Sequence, residues 1–228
     1  MSGDYFPHRA IGLTANPFRV LEPQELRAVT VVPEAVRAAC DAPGHVQIIG
    51  DAGRGKTTLL RALAASLADA GRAVVYEYVP EGARSYRTRV SRLEVLLLDE
   101  ADRLATGPWR RLLGELHSRE TRLIFSAHRD QSRRFARRRL ALGTVVPARL
   151  LDREQLARIL TARIEPCKLP GVPGPSLSPA AIDWLVAGFG SDLRALESFL
   201  FDFFQSLREA TAIDPDDLAT FERRRETR

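Results

Sequence analysis

A glycine-rich segment carries the most specific chemical pattern in this sequence. It reads Gly50-Asp51-Ala52-Gly53-Arg54-Gly55-Lys56-Thr57 and continues into Thr58. The first eight residues match G-x-x-x-x-G-K-[ST], a loop whose backbone N–H groups surround the phosphates of a bound nucleotide. In that loop the lysine charge lies beside the β- and γ-phosphates, and the hydroxyl of the last residue is a ligand for Mg²⁺. The segment therefore predicts binding of ATP with Mg²⁺.

Two acidic residues end an apolar run farther along the chain. Asp99 and Glu100 follow Val95-Leu96-Leu97-Leu98 directly. An aspartate at the end of such a strand can hold Mg²⁺, and a glutamate beside it can orient and deprotonate an attacking water. We expect Asp99 to be a metal ligand together with Thr57, and Glu100 to be the catalytic base. Asp102 is expected to be a solvated residue at the start of a helix.

The elements that must position these residues alternate between strands and helices. Strands are predicted at residues 45–49, 73–79, 93–98 and 121–126, and helices at residues 33–42, 57–70 and 108–117. This alternation, with apolar runs that are continuous, predicts a doubly wound parallel sheet covered on both faces. From Asp152 onward the pattern predicts helices only. The fold class is thus α/β, a P-loop domain followed by a small helical lid, divided as arm 1–22, ATPase domain 23–150 and lid 151–228.

With these motifs in this order, the chain resembles the AAA+ ATPases. The resemblance rests on the glycine-rich loop, the Asp99-Glu100 strand end and the predicted helical lid. In that family the strand after the acidic one ends in a polar residue, called sensor 1, that contacts the γ-phosphate or the attacking water. The resemblance implies Ser126 for this role, with His128 as the alternative.

Two arginine motifs extend the resemblance. The segment 190–197, Gly-Ser-Asp-Leu-Arg-Ala-Leu-Glu, is similar to the sensor 2 helix of bacterial replication initiators, which implies that Arg194 contacts the nucleotide of its own subunit. Residues 137–143 resemble the segment that carries an arginine finger, which acts on the nucleotide of a neighbouring subunit. The spacing to Gly143 favours Arg139, with Arg138 and Arg137 as alternatives. A finger in trans implies a homo-oligomer, either a ring or a helical filament.

The N-terminal residues 11–18, Ile-Gly-Leu-Thr-Ala-Asn-Pro-Phe, are similar to an arm found in transposition-regulator and secretion-associated members of the family. There the arm packs beside the adenine, which implies that Asn16 and Phe18 border the base. Packing of Phe18 into a core is the alternative for this short motif.

A second group of arginines lies between the second strand and the acidic strand: Arg84, Arg87, Arg89 and Arg92. In DNA-encircling relatives such segments face the central channel, which implies sequence-independent binding of double-stranded DNA through its phosphates. Solvated surface or salt bridges between subunits are the alternatives. The stretch is too short for the usual full helix, which argues against an unfoldase.

Charge and composition limit the remaining possibilities. Residues 129–149 hold seven arginines and one aspartate, so they account for the net charge of +5 of the whole chain. This locates the basic excess on the segment expected to carry the finger. Cys40 and Cys167 form neither a metal motif nor a disulfide framework, and no apolar run is long enough for a membrane span. We therefore expect a cytoplasmic protein without a membrane partner.

Three functional hypotheses remain open. The first is an ATP-driven switch that assembles on DNA and recruits a transposase, a replication factor or a similar protein. The second is an ATPase that serves a protein partner, as in a secretion or defence system, without binding DNA. The third is a nucleotide-binding structural subunit with negligible turnover.

Overall fold

A computed structural model describes residues 7–149, 151–210 and 212–227. Its helices are α1 Pro23–Val29, α2 Glu34–Asp41, α3 Lys56–Asp69, α4 Thr106–His117, α5 Ser132–Ala136, α6 Arg153–Ile164, α7 Pro179–Phe189, α8 Leu193–Ser206 and α9 Pro215–Glu226. Its strands are β1 His45–Ile49, β2 Val74–Tyr78, β3 Val95–Asp99, β4 Arg122–Ala127, β5 Leu142–Val145, β6 Ser176–Leu177 and β7 Ala212–Ile213. Leu150, the predicted domain boundary, and residues 1–6 of the predicted arm lie outside the described residues.

Five strands form a parallel sheet in the order β2-β3-β4-β1-β5. This confirms the predicted doubly wound α/β class. Because β1 and β3 both pair with β4, the loop after β1 and the acids at the end of β3 meet at one carboxyl edge. The fifth strand was not predicted, since Leu142–Val145 is short and contains Gly143 in place of a continuous apolar run.

The two faces of the sheet bury separate apolar layers. On one face, Leu98 and Phe125 pack with Trp109 of α4, and the Phe125 ring stacks on Phe135 with ring centroids 5.5 Å apart. The other face buries Ile124 against α3. Burial on both faces explains why residues 95–98 of β3 and 123–125 of β4 are all apolar.

Helices α1 and α6 to α9 form a separate unit with its own core. Residues up to Val31 group with residues 151–228, and residues 32–150 form the sheet-containing unit. The sequence places residues 23–31 with the ATPase domain, but α1 packs with α6, and Gln155 Nε2 donates to the Val31 carbonyl at 3.4 Å. The three-part division of the chain itself stays a prediction.

The prediction of helices alone beyond Asp152 is wrong in one detail. The two-residue strands β6 and β7 pair in parallel within the helical unit. Their few residues carry no periodic pattern that a sequence could reveal. Of the residues described, no helix is long and apolar enough to cross a bilayer.

His45 makes the stability of the sheet sensitive to acid. Its side chain is buried, its Nδ1 accepts the Leu123 N–H at 3.0 Å, and burial, aided by the nearby Arg122 charge, lowers its pKa to about 4. The unfolded chain takes up this proton near pH 6.5, whereas the folded chain takes it up near pH 4. We expect unfolding free energy to fall as pH decreases through this interval, by up to about 3 kcal/mol.

Urea denaturation of the wild type and of His45→Asn at a series of pH values checks this expectation. Asparagine keeps an oxygen acceptor for the Leu123 N–H but does not titrate. The free energy of unfolding of the variant should therefore change much less between pH 6.5 and 4 than that of the wild type. An identical pH dependence in both proteins would contradict the assignment to His45.

Candidate nucleotide-binding site

The glycine-rich loop leaves its backbone donors open. Gly53 and Gly55 have φ angles of +79° and +76°, which glycine adopts without steric cost, and Gly55 lies directly before α3. Within the described residues, the backbone N–H groups from Gly53 to Thr57 donate to no carbonyl oxygen. A concave run of free N–H groups at the start of a helix binds anions well. The loop thus has the conformation that its sequence predicts.

Lys56 lies inside this loop. Its side chain is buried, and its Nζ donates to the carbonyl oxygens of Gly50 at 2.7 Å and Asp51 at 2.8 Å. Burial lowers the pKa of Lys56, while the carboxylates of Glu100 and Asp99 oppose that shift. The ammonium group can exchange these two carbonyl oxygens for phosphate oxygens without leaving the loop.

Asp99 is held by a hydroxyl group from each neighbouring strand. Its side chain is fully buried, Oδ1 accepts the hydroxyl of Ser126 on β4, and Oδ2 accepts the hydroxyl of Tyr76 on β2 at 2.8 Å. Burial raises the pKa of Tyr76 to about 12, so this phenol is a donor throughout the neutral range. The two hydrogen bonds fix the direction of the carboxylate. Sequence reasoning missed Tyr76, because only the pairing of β2 with β3 brings it to Asp99.

Glu100 has a left-handed backbone conformation, with φ +59° and ψ +42°. Such a conformation costs a residue other than glycine about 1 kcal/mol or more. The Glu100 carboxylate is mostly buried and lies 3.1 Å from His128 Nε2 and 3.5 Å from an Arg103 guanidinium nitrogen. The turn thus directs Glu100 toward two cationic or polar partners, and sequence reasoning did not identify Arg103.

Ser126 and His128, the two candidates for sensor 1, lie in different surroundings. Ser126 is fully buried, donates to Asp99, and accepts the Glu100 N–H at 2.8 Å. Its hydroxyl therefore joins the two acids. His128 keeps 37% of its side chain exposed, and its ring contacts the Glu100 carboxylate. The assignment of sensor 1 stays a prediction for both residues.

Asp102 lies in the first turn of a short helix, as expected, but its side chain is only partly solvated. Its Oδ1 is buried without a hydrogen-bond partner in the described residues, and its Oδ2 accepts the His128 N–H at 3.1 Å. The short 3-10 helix Ala101–Arg103 turns this side chain back toward the end of β4. An orphaned carboxylate oxygen beside Lys56 adds negative charge to the site. No group of three or more His, Cys, Asp or Glu residues in the described ranges could hold a metal ion.

The three candidate finger arginines form the turn between α5 and β5. All three are exposed, and Arg139 has a φ of +55°. The Arg139 N–H donates to the Ala136 carbonyl at 3.0 Å and the Leu140 N–H to the Phe135 carbonyl at 3.1 Å, the pattern of a Schellman cap. Glycine is the usual residue at the left-handed position of this cap. An arginine there is strained, which is a feature of functional positions.

The other predicted nucleotide ligands belong to the helical unit. Arg194 is exposed in the first turn of α8, which begins after Asp192 caps the Ala195 N–H at 3.1 Å. Asn16 is buried and donates to the Phe201 carbonyl at 2.9 Å, and Phe18 packs edge-on against Phe204. Phe18 therefore packs in the core of the helical unit, which was the alternative to a position beside the base. A role for Arg194, Asn16 or Phe18 beside a nucleotide stays a prediction.

Arg84, Arg87 and Arg89 are all exposed. The segment that carries them contains a single 3-10 turn, Val90–Arg92, in place of a full helix. This agrees with the short spacing in the sequence.

Comparison with known proteins adds evidence on the fold. No protein-family model matches the chain, and no curated protein matches its sequence. Similar solved structures include AMPPCP-bound DnaA from Aquifex aeolicus, with 19% identity over 78% of this chain and 63% of that chain and a TM-score of 0.55. Domain III of the Thermotoga maritima replication initiation protein DnaA matches at 18% identity over 90% of this chain and 98% of that chain, with a TM-score of 0.55.

The Thermotoga maritima RuvB Holliday junction branch migration motor matches at 16% identity over 90% of this chain and 69% of that chain, with a TM-score of 0.54. The present chain thus spans less than two thirds of the Aquifex aeolicus structure but nearly all of the isolated DnaA domain. At these identities the likeness shows the fold, a parallel P-loop sheet with a helical region after it.

Proposed function

We propose that this chain is an ATPase that requires Mg²⁺. Its fold is the AAA+ fold and resembles that of replication initiators. The open N–H groups of the glycine-rich loop are the observation that carries the proposal. The same loop carries Lys56, and the charges of Glu100 and Asp99 act on its ammonium group. ATP is the ligand that uses a phosphate cradle, a buried ammonium group and adjacent acids together.

The residues of the site fit a Mg²⁺–nucleotide complex. The Thr57 hydroxyl, in the first turn of α3, and the Asp99 carboxylate would hold Mg²⁺ together with phosphate oxygens. Mg²⁺ usually keeps several waters and takes few protein ligands, so the lack of a larger acidic cluster among the described residues is compatible with it. When bound, Mg²⁺ neutralises charge on the transferring phosphate. Glu100 takes the proton from the attacking water, and Lys56 holds phosphate oxygens.

A change at Tyr76 tests how Asp99 is held. Tyr76→Phe leaves the buried Oδ2 of Asp99 without its donor, so the carboxylate is less firmly oriented toward a metal ion. We expect the Mg²⁺ concentration needed for half-maximal ATP hydrolysis to rise on the order of tenfold, corresponding to one hydrogen bond to a charged group. Tyr78→Phe is the matched control, because Tyr78 is on the same strand but contacts Arg103. Equal effects of the two changes would contradict the positioning role.

We further propose that ATP drives assembly. Arg139 acts on the nucleotide of a neighbouring subunit, with Arg138 or Arg137 as the alternatives, and Arg194 contacts the nucleotide of its own subunit. The product is a ring or helical filament on double-stranded DNA that recruits a transposase, a replication factor or a similar protein. The exposed, strained Arg139 and the exposed arginines Arg87 and Arg89 support this part of the proposal.

Analytical ultracentrifugation with ATP, with a non-hydrolysable analogue and without nucleotide, each with and without duplex DNA, tests assembly. We expect nucleotide-dependent oligomers that grow further on DNA. Monomers under every condition would contradict the switch. Assembly with nucleotide that ignores DNA would favour an ATPase that serves a protein partner.

A further inference from the structure

An arginine-rich pocket of about 440 Å³ lies between the segment 86–91 and helix α4, away from the nucleotide loop. We call it the arginine pocket. Its charged lining residues are Arg87, Arg89, Arg111, Glu115 and Arg119, a net charge of +3. Arg111 and Arg119 lie far along the chain from Arg87 and Arg89, so only the fold brings the four arginines together.

Two of these arginines have no partner of their own. Arg87 and Arg89 are exposed, and their guanidinium groups form no ion pair or hydrogen bond within the residues that the structure describes. Arg119 makes a single long contact, from a guanidinium nitrogen to the Ser91 carbonyl at 3.4 Å. Arg111 is more firmly placed, because it donates to the Tyr86 hydroxyl at 3.0 Å and lies 4.5 Å from the centre of that ring.

The backbone that presents Arg87 and Arg89 is fixed. The Glu77 carboxylate, on β2, accepts the Arg87 N–H at 2.6 Å and the Thr88 N–H at 2.9 Å. Tyr86 and Val90 on the same segment are buried. Because burial alternates along the segment, Arg87 and Arg89 both face outward. The backbone that carries these two arginines is therefore fixed before any ligand binds.

We propose that the arginine pocket binds phosphate groups of the backbone of duplex DNA. This deepens the proposed function, since it rests on DNA being the surface for assembly. Arginine forks bind phosphate oxygens in pairs, and the Thr88 and Ser91 hydroxyls in the lining can add neutral donors. The ring of Tyr86 is only 3% exposed and lies under Arg111, so no aromatic face of the pocket is open for a base to stack on. Recognition is therefore of the backbone and is independent of base sequence.

Fluorescence anisotropy with a labelled duplex, titrated with full-length protein at several salt concentrations, tests the pocket. Arg119→Ala should lower the magnitude of the salt slope by about 1 and weaken affinity roughly five- to tenfold at 0.1 M salt. Arg110→Ala is the matched control, because Arg110 is exposed on α4, the helix that carries Arg111, but does not line the pocket. Equal losses of DNA affinity in the two variants would overturn the proposal that the pocket binds DNA and would favour diffuse attraction to a basic surface.

A change at Glu77 separates a preorganised pocket from net charge. Glu77→Ala removes a negative charge near the arginines, so simple electrostatics predicts tighter binding. The pocket predicts weaker binding, because the backbone at Arg87 and Thr88 loses both of its acceptors. Glu77→Gln keeps one acceptor oxygen, so its affinity for DNA should lie between those of the wild type and Glu77→Ala. Circular dichroism checks that each variant is folded. Tighter binding by folded Glu77→Ala would overturn the proposal.

Two further arms identify the source of the phosphate. Inorganic phosphate should compete with duplex DNA only weakly. If phosphate raises the thermal stability of the wild type but not of Arg119→Ala, while the wild type binds no DNA, the pocket belongs to a free anion and the DNA assignment fails. Binding of an acidic peptide in place of DNA would overturn it as well. ATP hydrolysis, measured on the same variants without DNA, reports separately on the proposed ATPase and should be unchanged in Arg119→Ala.

Discussion

Replacing Glu100 by glutamine is expected to lower the kcat of ATP hydrolysis by a factor of 10² to 10⁴, the range that general-base catalysis contributes. Glutamine has nearly the same shape, so the left-handed turn at this position and its contact with the Ser126 hydroxyl remain. It cannot take a proton from water. The affinity for ATP should change by less than a factor of about three, since Glu100 is not expected to contact phosphate. Steady-state hydrolysis and titration with a fluorescent ATP analogue measure the two quantities.

The matched control for this change is Asp102→Asn. Asp102 is the neighbouring acid, with one oxygen on the His128 N–H and the other buried without a partner. Its neutralisation should leave kcat within a factor of about ten, because it is not placed as the base. If Glu100→Gln hydrolyses ATP at the parental rate, the chain is a nucleotide-binding structural subunit rather than an ATPase. A larger loss of kcat in Asp102→Asn than in Glu100→Gln would indicate that Asp102 is the catalytic base.

The second large effect is expected at Arg139. Replacing it by alanine should reduce kcat of the assembled protein by about 10³, as expected for an arginine finger, and leave nucleotide affinity intact. Arg139→Gly adds a test that depends on the backbone. Glycine relieves the left-handed strain at φ +55°, so this variant should be about 1 kcal/mol more stable in thermal or urea unfolding while losing turnover equally.

Mixing two inactive variants shows whether Arg139 acts in trans. Where an Arg139→Ala subunit holds ATP beside a Glu100→Gln subunit, the interface has an intact Glu100 and an intact Arg139. The mixture should therefore hydrolyse ATP faster than either variant alone. No recovery on mixing would place Arg139 in its own subunit's site or outside the chemistry. Arg138→Ala and Arg137→Ala, tested in the same way, decide between the three candidates.

The nucleotide loop and the acidic strand end were predictable because each is a local pattern. Glycines at positive φ, a lysine and a hydroxyl residue specify the loop through contacts within a few residues. The apolar run before Asp99 specifies a strand buried on both faces. The arginines near Gly143 were singled out by their resemblance to the segment that carries an arginine finger, and the sequence could not show that Arg139 occupies the strained position of a helix cap.

What the sequence could not show are contacts across strand pairs. Tyr76 reaches Asp99 only because β2 lies beside β3, and Ser126 joins the two acids only because β4 lies on the other side. Asp102 was expected in solvent, yet a short 3-10 turn buries one of its oxygens. The strand β5 and the small strands of the helical unit lack any periodic pattern, and only their pairing partners define them.

The sequence by itself determined the candidate chemistry of this protein: a loop with the phosphate-binding pattern, a candidate metal ligand, a candidate base and a surplus of arginines. Each of these follows from residue types at short spacings along the chain, because the local backbone conformation places such residues together. The tertiary structure alone decided which hydroxyls hold Asp99, which partners face Glu100, and that Arg111 and Arg119 join Arg87 and Arg89 in one pocket. Those contacts depend on strand order and helix packing, in which residues far apart in the chain become neighbours through burial of apolar surface.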